Sequence, residues 1–252
     1  MATAFGSTYE FRAPGRTGRV AAWTVAAHAL ILAPGGVVAM ILASGDGEWD
    51  LDPSTTTAGG AWATGPVIGP MRIVYAVQAV TAIVAMIAWL TWQSRATENA
   101  WAARAPIAVT PGWAVFWWFT PFANMGKPAG AIAQLLRASS AMAGGRSRDG
   151  ALVAVWWTTF LVGQVLSFVG YVVMMGEVFS VAGASFETVR AADIDEGLWI
   201  SAAGMLLQAA SAWPAIAIVR AIDRRQTGAQ VDIGGPAAPA AGLPHPPRPD
   251  LG

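Results

Sequence analysis

Residues 20–43, VAAWTVAAHALILAPGGVVAMILA, form a run of 24 residues without a charged side chain. As an α-helix with a rise of 1.5 Å per residue, the run would extend about 36 Å, enough to cross the hydrocarbon core of a bilayer. Arg12, Arg16 and Arg19 precede it. A charged start of this kind also occurs in signal peptides, but their apolar cores usually have only roughly 7 to 15 residues. We therefore expect an uncleaved first transmembrane helix.

The composition of the whole chain agrees with a membrane protein. Its 252 residues are 55% hydrophobic and 12% charged, whereas soluble domains carry about 25% charged residues. The formal net charge is zero, so no overall field favours nucleic acid as a partner. Cysteine is absent, which excludes thiolate metal sites. The two histidines, His28 and His245, are far apart in the sequence, which argues against a multi-histidine metal centre. We expect neither a metal nor a cofactor.

Three more apolar runs are long enough to cross a membrane. The predicted fold is therefore an all-α membrane protein with four transmembrane helices. Its predicted parts are an N-terminal segment, residues 1–19; a membrane domain, residues 20–225, with spans 20–43, 71–92, 151–175 and 198–219; and a tail, residues 226–252. The tail is rich in Pro, Ala and Gly, and we expect it to be disordered because it has too little apolar surface to offset its ordering entropy.

Basic residues predict the orientation of the four spans, because short loops rich in Lys and Arg stay in the cytoplasm. With both termini inside, 13 of the 15 basic residues are cytoplasmic and only Arg72 and Arg190 lie outside. The opposite orientation reverses this ratio. Six tryptophans would then lie near the cytoplasmic interface, where amphipathic indole rings are enriched: Trp23, Trp89, Trp92, Trp156, Trp157 and Trp213.

Residues 107–123, IAVTPGWAVFWWFTPFA, are also uncharged, yet we predict that they do not form a fifth span. The run is short for a span and contains Pro111 and Pro121, each of which lacks a backbone donor. A fifth span would also move Arg137, Arg146 and Arg148 outside. We expect a cytoplasmic interfacial or re-entrant segment, residues 107–140, which ends in a short amphipathic helix with Ile132, Leu135 and Leu136 on one face.

This part of the chain resembles the bacterial membrane family called domain of unknown function 4328. The resemblance covers roughly residues 71–207 and rests on an ordered set of blocks: Asn99-Ala100, TPGWAV at 110–115, WWF at 117–119, PFAN at 121–124, Lys127-Pro128, Arg-Ala-Ser at 137–139 and Trp156-Trp157. Ala129, Gln134 and Leu136 stand where the family often has an aromatic residue, a glutamate and a tryptophan. The resemblance implies a multi-pass bacterial membrane protein and no established activity.

Two sets of side chains are candidates for function inside the spans. His28, Gln164 and Gln208 would lie at similar depth, and intramembrane polar residues usually face the bundle interior. They form either a proton-sensitive or ligand-binding centre or simple interhelical hydrogen bonds. Gly163 and Gly170, with Ser167 between them, form a small-residue face on the third span, which suits either packing inside the bundle or docking of another protein.

A third candidate is the cytoplasmic belt, which combines aromatic, polar and basic side chains: Trp113, Trp117, Trp118, Asn124, Lys127 and Arg137. Basic residues beside interfacial aromatic rings suit anionic lipid headgroups. The belt could serve membrane anchorage alone, or bind a specific lipid or a partner protein.

Three functional hypotheses follow for a protein of the bacterial cytoplasmic membrane. The first is a structural or interaction protein that binds membrane lipid or other membrane proteins. The second is a pathway for a small solute or protons around His28, Gln164 and Gln208. The third is a lipid-modifying enzyme near Asn124, Lys127 and Arg137. No catalytic set or phosphate-binding loop is identifiable, which favours a protein that is not an enzyme.

Overall fold

The structure, a computed structural model, describes residues 9–12, 15–44, 68–146, 149–183 and 191–234. Regular structure in these ranges is helical throughout, without strands. The described ranges contain six α-helices and one 3₁₀ turn, Ala123–Met125: α1 Gly15–Ala43, α2 Ile68–Ala102, α3 Pro111–Phe116, α4 Lys127–Met142, α5 Gly150–Gly183 and α6 Ala191–Gly234.

Four of these helices, α1, α2, α5 and α6, are long and apolar enough to cross a membrane. This confirms the predicted all-α fold with four membrane-crossing helices. The helices are longer than the apolar runs that predicted them, since α2 has 35 residues and α6 has 44. Helix α6 includes residues 226–234, which the sequence analysis assigned to the tail. The rest of the predicted tail, 235–252, and most of the loop after α1, 45–67, lie outside the described residues.

The four long helices are arranged up, down, up and down. Helix α6 packs most extensively on α5 and α1, and α1 packs on α2. Close to the start of α1, Gly18 lies against Asp223 near the end of α6, and Trp92 of α2 reaches the same carboxylate. One end of the bundle therefore collects the start of α1, the end of α2, the start of α5 and the end of α6. We call it the arginine-rich end.

Helices α5 and α6 approach each other through glycine and serine. A Cβ added to Gly170 would lie 2.5 Å from the carbonyl oxygen of Gly197, and one added to Gly163 would lie 2.9 Å from that of Gly204. Ser167, between them on α5, contacts Gly204 as well. The small-residue face predicted on the third span is therefore occupied by packing inside the bundle, where it lets the two backbones come close.

Candidate functional site

Five tryptophans meet at the arginine-rich end and form the centre of the site. We call them the tryptophan cluster: Trp89 and Trp92 of α2, Trp156 and Trp157 of α5, and Trp118 of the segment between them. The ring centroids of Trp89 and Trp156 lie 5.1 Å apart, and those of Trp118 and Trp157 lie 5.7 Å apart. The four helical members are buried.

These four rings lie at the arginine-rich end, close to the ends of their apolar runs, but they do not lie on its outer surface. They fill the space between α2 and α5 instead, and Trp118 completes the cluster as a partly buried member. Trp23 and Trp213 remain exposed, at 74% and 72%, as expected for rings on the outer surface. An indole ring suits both places, because it combines a large apolar area with one polar N–H group.

The segment that supplies Trp118 is a chain of short elements, which we call the aromatic segment, residues 107–126. The hydroxyl of Thr110 accepts a hydrogen bond from the backbone N–H of Trp113 at 3.4 Å, and Pro111 occupies the first turn of α3. Both features are typical of helix starts. Helix α3 ends after six residues. The segment therefore has no helix long enough to span a membrane, which agrees with the prediction for residues 107–123.

Buried hydrogen bonds hold the aromatic segment against α2 and α5. Gln93 is fully buried; its amide nitrogen donates to the carbonyl oxygen of Ala114 at 3.2 Å, and its amide oxygen accepts from Nε1 of Trp118 at 3.0 Å. Nε1 of Trp157 donates to the carbonyl oxygen of Met125 at 2.8 Å. The bond between Gln93 and Ala114 is costly to break, because both groups are buried there. The segment is thus fixed in its middle and at its end.

The opposite side of the segment exposes a row of apolar side chains, spaced three residues apart. We call this row the outer stripe: Trp113, Phe116, Phe119, Phe122 and Met125. All five are more than half exposed, and Phe122 reaches 88%. The backbone of Phe122 has a φ angle of 61°, a strained value for a residue with a side chain. The three phenylalanines were not among the predicted site residues, although their spacing is visible in the sequence.

Helix α4 follows the aromatic segment and closes the site. Ile132, Leu135 and Leu136 are buried, at 0%, 1% and 1%, which confirms the predicted amphipathic helix. Their face packs on α2, α5 and α6, so α4 is part of the bundle's core at this end and not a separate surface helix. We call residues 107–142, which comprise the aromatic segment and α4, the cap.

A second buried network joins α2, α4 and α6 beneath the cap. The amide nitrogen of Asn99 donates to Oε1 of Gln226 at 3.1 Å, and the amide nitrogen of Gln226 donates to the hydroxyl of Ser139 at 3.1 Å. Asn99 also exchanges two hydrogen bonds with the backbone of Arg12. Asn99, Gln226 and Ser139 have no exposed surface. This network was not predicted from the sequence, and Gln226 was expected to belong to the tail.

The residues of the predicted belt are not gathered into one cluster. Nζ of Lys127 lies 5.7 Å from the centroid of the Trp117 ring, a cation–π arrangement. Trp118 points into the tryptophan cluster, and Asn124 is exposed. Arg137 is also exposed, but it lies ten residues after Lys127 on α4, about 15 Å along the helix axis. Trp113 and Lys127 therefore remain surface candidates, whereas Trp118 has a packing role.

The three predicted intramembrane polar residues are not brought together either. Nδ1 of His28 lies 2.9 Å from the hydroxyl of Thr81 on α2. Gln208 donates to the carbonyl oxygen of Gly163 and to the hydroxyl of Ser167 on α5, at 3.2 Å and 2.8 Å. Gln164 is exposed, which corrects the expectation that it faces the interior. His28 and Gln208 thus each serve a different helix pair.

The family was tested by comparison with known proteins. The model of the family described as Domain of unknown function (DUF4328) matches residues 69–224, more than half of the chain. The chain belongs to the DUF4328 family. This agrees with the resemblance of the TPGWAV and PFAN blocks, and the DUF4328 match contains the whole cap. No curated protein and no solved structure gives a significant match.

The DUF4328 match begins at the start of α2 and ends inside α6. The tryptophan cluster, the outer stripe and Lys127 all lie within it, whereas α1 lies before it. Among the described residues no group of three or more His, Asp or Glu side chains is placed to hold a metal ion. The chemistry that the cap offers is therefore apolar and aromatic contact beside a few positive charges.

Proposed function

We propose that this chain is a structural membrane protein without catalytic activity, and that the outer stripe of its cap is a platform for membrane lipid. The observation that carries the proposal is the outer stripe, a row of exposed apolar rings on a segment whose other side is hydrogen-bonded into the bundle. Large exposed apolar patches mark interaction surfaces or contact with a membrane. Because the aromatic segment is held in place, the outer stripe does not have to change its conformation to bind lipid.

The depth of the cap supports lipid as the partner. Trp118 contacts Trp156 and Phe160, with ring centroids 6.4 Å away in both cases. These residues lie about 9 Å and 15 Å along α5 from its start at Gly150. The aromatic segment therefore runs beside the first turns of an apolar helix, and its outer stripe is level with the edge of the hydrocarbon layer. Aromatic rings favour this level of a bilayer.

Charge supports the same partner and suggests the orientation. Lys127 stacks on Trp117 at the boundary of the aromatic segment, and a basic residue near an anionic membrane surface contributes about 1 kcal/mol to binding. We propose that the arginine-rich end faces the cytoplasm of a bacterium and that the protein resides in the cytoplasmic membrane with both termini inside. The distribution of the basic residues along the sequence supports this orientation.

Photocrosslinking in cells separates lipid from a partner protein. Phe122 is replaced by the aromatic photocrosslinker p-benzoylphenylalanine, cells are irradiated, and the products are resolved by gel electrophoresis and mass spectrometry. Lipid-mass adducts at position 122 are expected. A discrete protein adduct of high yield would contradict the proposal and make the stripe a protein interface.

Two other positions calibrate this experiment. Phe168 of α5 is 67% exposed in the middle of an apolar helix, so the same photocrosslinker there should give lipid adducts. Gly130 of α4 is exposed with no neighbour within 4 Å of an added Cβ, and it should give none. A pattern at position 122 that matches Gly130 and not Phe168 would show that the outer stripe does not contact lipid.

A further inference from the structure

A cavity of about 730 Å³ lies on the other side of the arginine-rich end, between the start of α1 and the end of α6. A volume of this size falls in the range that holds a small organic ligand. None of its lining residues belongs to the cap. The cavity is therefore a site distinct from the outer stripe, and the inference drawn from it does not depend on the proposed function.

One part of the cavity wall is strongly basic. Arg19, Arg220 and Arg224 line it together with a single acidic residue, Asp223. Among the described residues, none of these three arginines has an ion-pair partner, because the ion pairs there involve Arg12, Arg95 and Arg225. Three arginines that line one space without a paired carboxylate suit an anion with several acceptor oxygens, such as a phosphate.

Asp223 does not cancel this positive charge by pairing with an arginine. Its Oδ1 accepts a hydrogen bond from Nε1 of Trp92 at 2.9 Å, and its carboxylate lies against the backbone of Gly18. An added Cβ at Gly18 would overlap both Asp223 oxygens and the carboxyl carbon, so the Asp223 side chain would have to leave this position. The carboxylate is thus held at the joint of α1, α2 and α6, where it fixes the wall of the cavity.

The other part of the wall is apolar. Ala22, Trp23 and Ala26 of α1 face Ile216 and Val219 of α6 across the cavity. These residues belong to the apolar runs, whereas Arg19 and Arg220 lie immediately outside them. The polar and apolar parts therefore meet at the level where the headgroups of a bilayer meet its acyl chains. A free phosphate would interact only with the basic part of the wall, and an apolar molecule only with the apolar part.

We propose that the α1–α6 cavity binds one anionic phospholipid, with its phosphate among Arg19, Arg220 and Arg224 and an acyl chain beside Ala26 and Ile216. The two-part wall and the charge complementarity favour this occupant over a second copy of the chain or a soluble anion. Phosphatidylglycerol is a suitable probe, because its headgroup keeps a net negative charge that phosphatidylcholine lacks.

Native mass spectrometry of the full chain in detergent tests the assignment. The protein is titrated with phosphatidylglycerol, with phosphatidylcholine of the same acyl chains, and with inorganic phosphate. Phosphatidylglycerol should bind with a Kd at least roughly tenfold lower than phosphatidylcholine, because more than one basic residue contributes. The double variant Arg220→Gln/Arg224→Gln should weaken phosphatidylglycerol binding about 25-fold, or roughly fivefold for each arginine, without affecting phosphatidylcholine.

Two single variants make the test specific. Arg16→Gln removes an exposed arginine of α1 that does not line the cavity, and it should leave the preference for phosphatidylglycerol unchanged. Ala26→Phe fills the apolar part without changing a charge, and it should weaken phosphatidylglycerol binding several-fold. Circular dichroism and gel filtration of each variant verify that the helices and the size of the particle are retained.

Four results would overturn the assignment. The first is equal binding of the two lipids, and the second is an equal loss of phosphatidylglycerol binding in Arg16→Gln and in the double variant. The third is binding of inorganic phosphate as tight as that of phosphatidylglycerol. The fourth is a variant whose oligomeric state changes while its lipid binding does not. The third result would assign the cavity to a soluble anion, and the fourth would assign it to a contact between copies of the chain.

Discussion

Nε1 of Trp118 donates a hydrogen bond to Oε1 of Gln93 at 3.0 Å, and through this bond an aromatic loop is joined to a membrane-crossing helix. The amide nitrogen of Gln93 also donates a hydrogen bond to the carbonyl oxygen of Ala114. One buried amide group therefore satisfies two polar groups of the aromatic segment. A segment that is held in this way lies along the bundle and does not cross it. The rings of Trp113, Phe116, Phe119 and Phe122 stay exposed.

Gln93→Leu should release the aromatic segment from α2. The substitution leaves the indole N–H of Trp118 and the carbonyl oxygen of Ala114 without their partner, at a cost of about 1–3 kcal/mol for each group that stays buried. Amide hydrogen exchange of residues 107–126 should become at least roughly tenfold faster. Gln164→Leu, the same change at an exposed position of α5, should leave this exchange unchanged. Equal exchange in both variants would contradict the role of Gln93.

Gly170→Ala should destabilise the bundle by separating α5 from α6. The added methyl group would lie 2.5 Å from the carbonyl oxygen of Gly197 and from the backbone nitrogen of Ser201, and backbone atoms cannot move aside cheaply. We expect a loss of about 1–3 kcal/mol, as for other overpacked sites, visible as a lower Tm in detergent. Gly130→Ala has open space and should be neutral or stabilising by about 0.5–1 kcal/mol. A Tm for Gly170→Ala equal to that of Gly130→Ala would show that the close approach is not needed.

Much of the fold could be predicted from the sequence, because run length, proline and charge are local properties. The four spans, the excluded run and the buried face of α4 follow from them. The buried face of a long helix does not, because a helix that is apolar on all sides has no amphipathic pattern. Gln164 and Gln208 illustrate this limit: they have the same side chain at similar depth, but one is exposed and the other bonds to α5.

The candidate site was less predictable for a related reason. Asn99 and Gln226 are 127 residues apart in the chain, and no local pattern connects them. Indole rings at the end of an apolar run fit a lipid interface as well as a packed interior, so the inward direction of Trp89 and Trp156 required the structure. The outer stripe did have a local signal, since its members recur at every third position. A strict repeat of three differs from the period of about 3.6 residues that an amphipathic α-helix shows, which is the pattern usually sought.

His28→Leu tests the pathway hypothesis against simple helix packing. The imidazole lies 2.9 Å from the hydroxyl of Thr81, and a hydrogen bond of this kind between membrane helices contributes about 0.6 kcal/mol on average. The variant should therefore fold with a Tm within a few degrees of wild type, and liposomes containing either protein should have the same low proton permeability. A proton flux in the wild type that disappears in His28→Leu would support the pathway.

Phe122→Gly should stabilise the cap relative to Phe122→Ala. Both variants remove the exposed ring, but only glycine adopts a φ of 61° without steric cost. The difference in the free energy of unfolding should be about 1 kcal/mol, in favour of glycine, measured by thermal denaturation in detergent. If alanine were as stable as glycine, the backbone at this position would not be strained.

The depth of the outer stripe in a bilayer tests the central claim most directly. Because the chain has no cysteine, single cysteines at positions 119, 122 and 130 can each carry a nitroxide label, in protein reconstituted into liposomes. Electron paramagnetic resonance then compares the accessibility of the label to oxygen, which concentrates in lipid, with its accessibility to a water-soluble nickel complex. Labels at 119 and 122 should favour oxygen, and the label at 130 should favour nickel. Nickel accessibility at 119 and 122 equal to that at 130 would place the stripe in water and contradict the account.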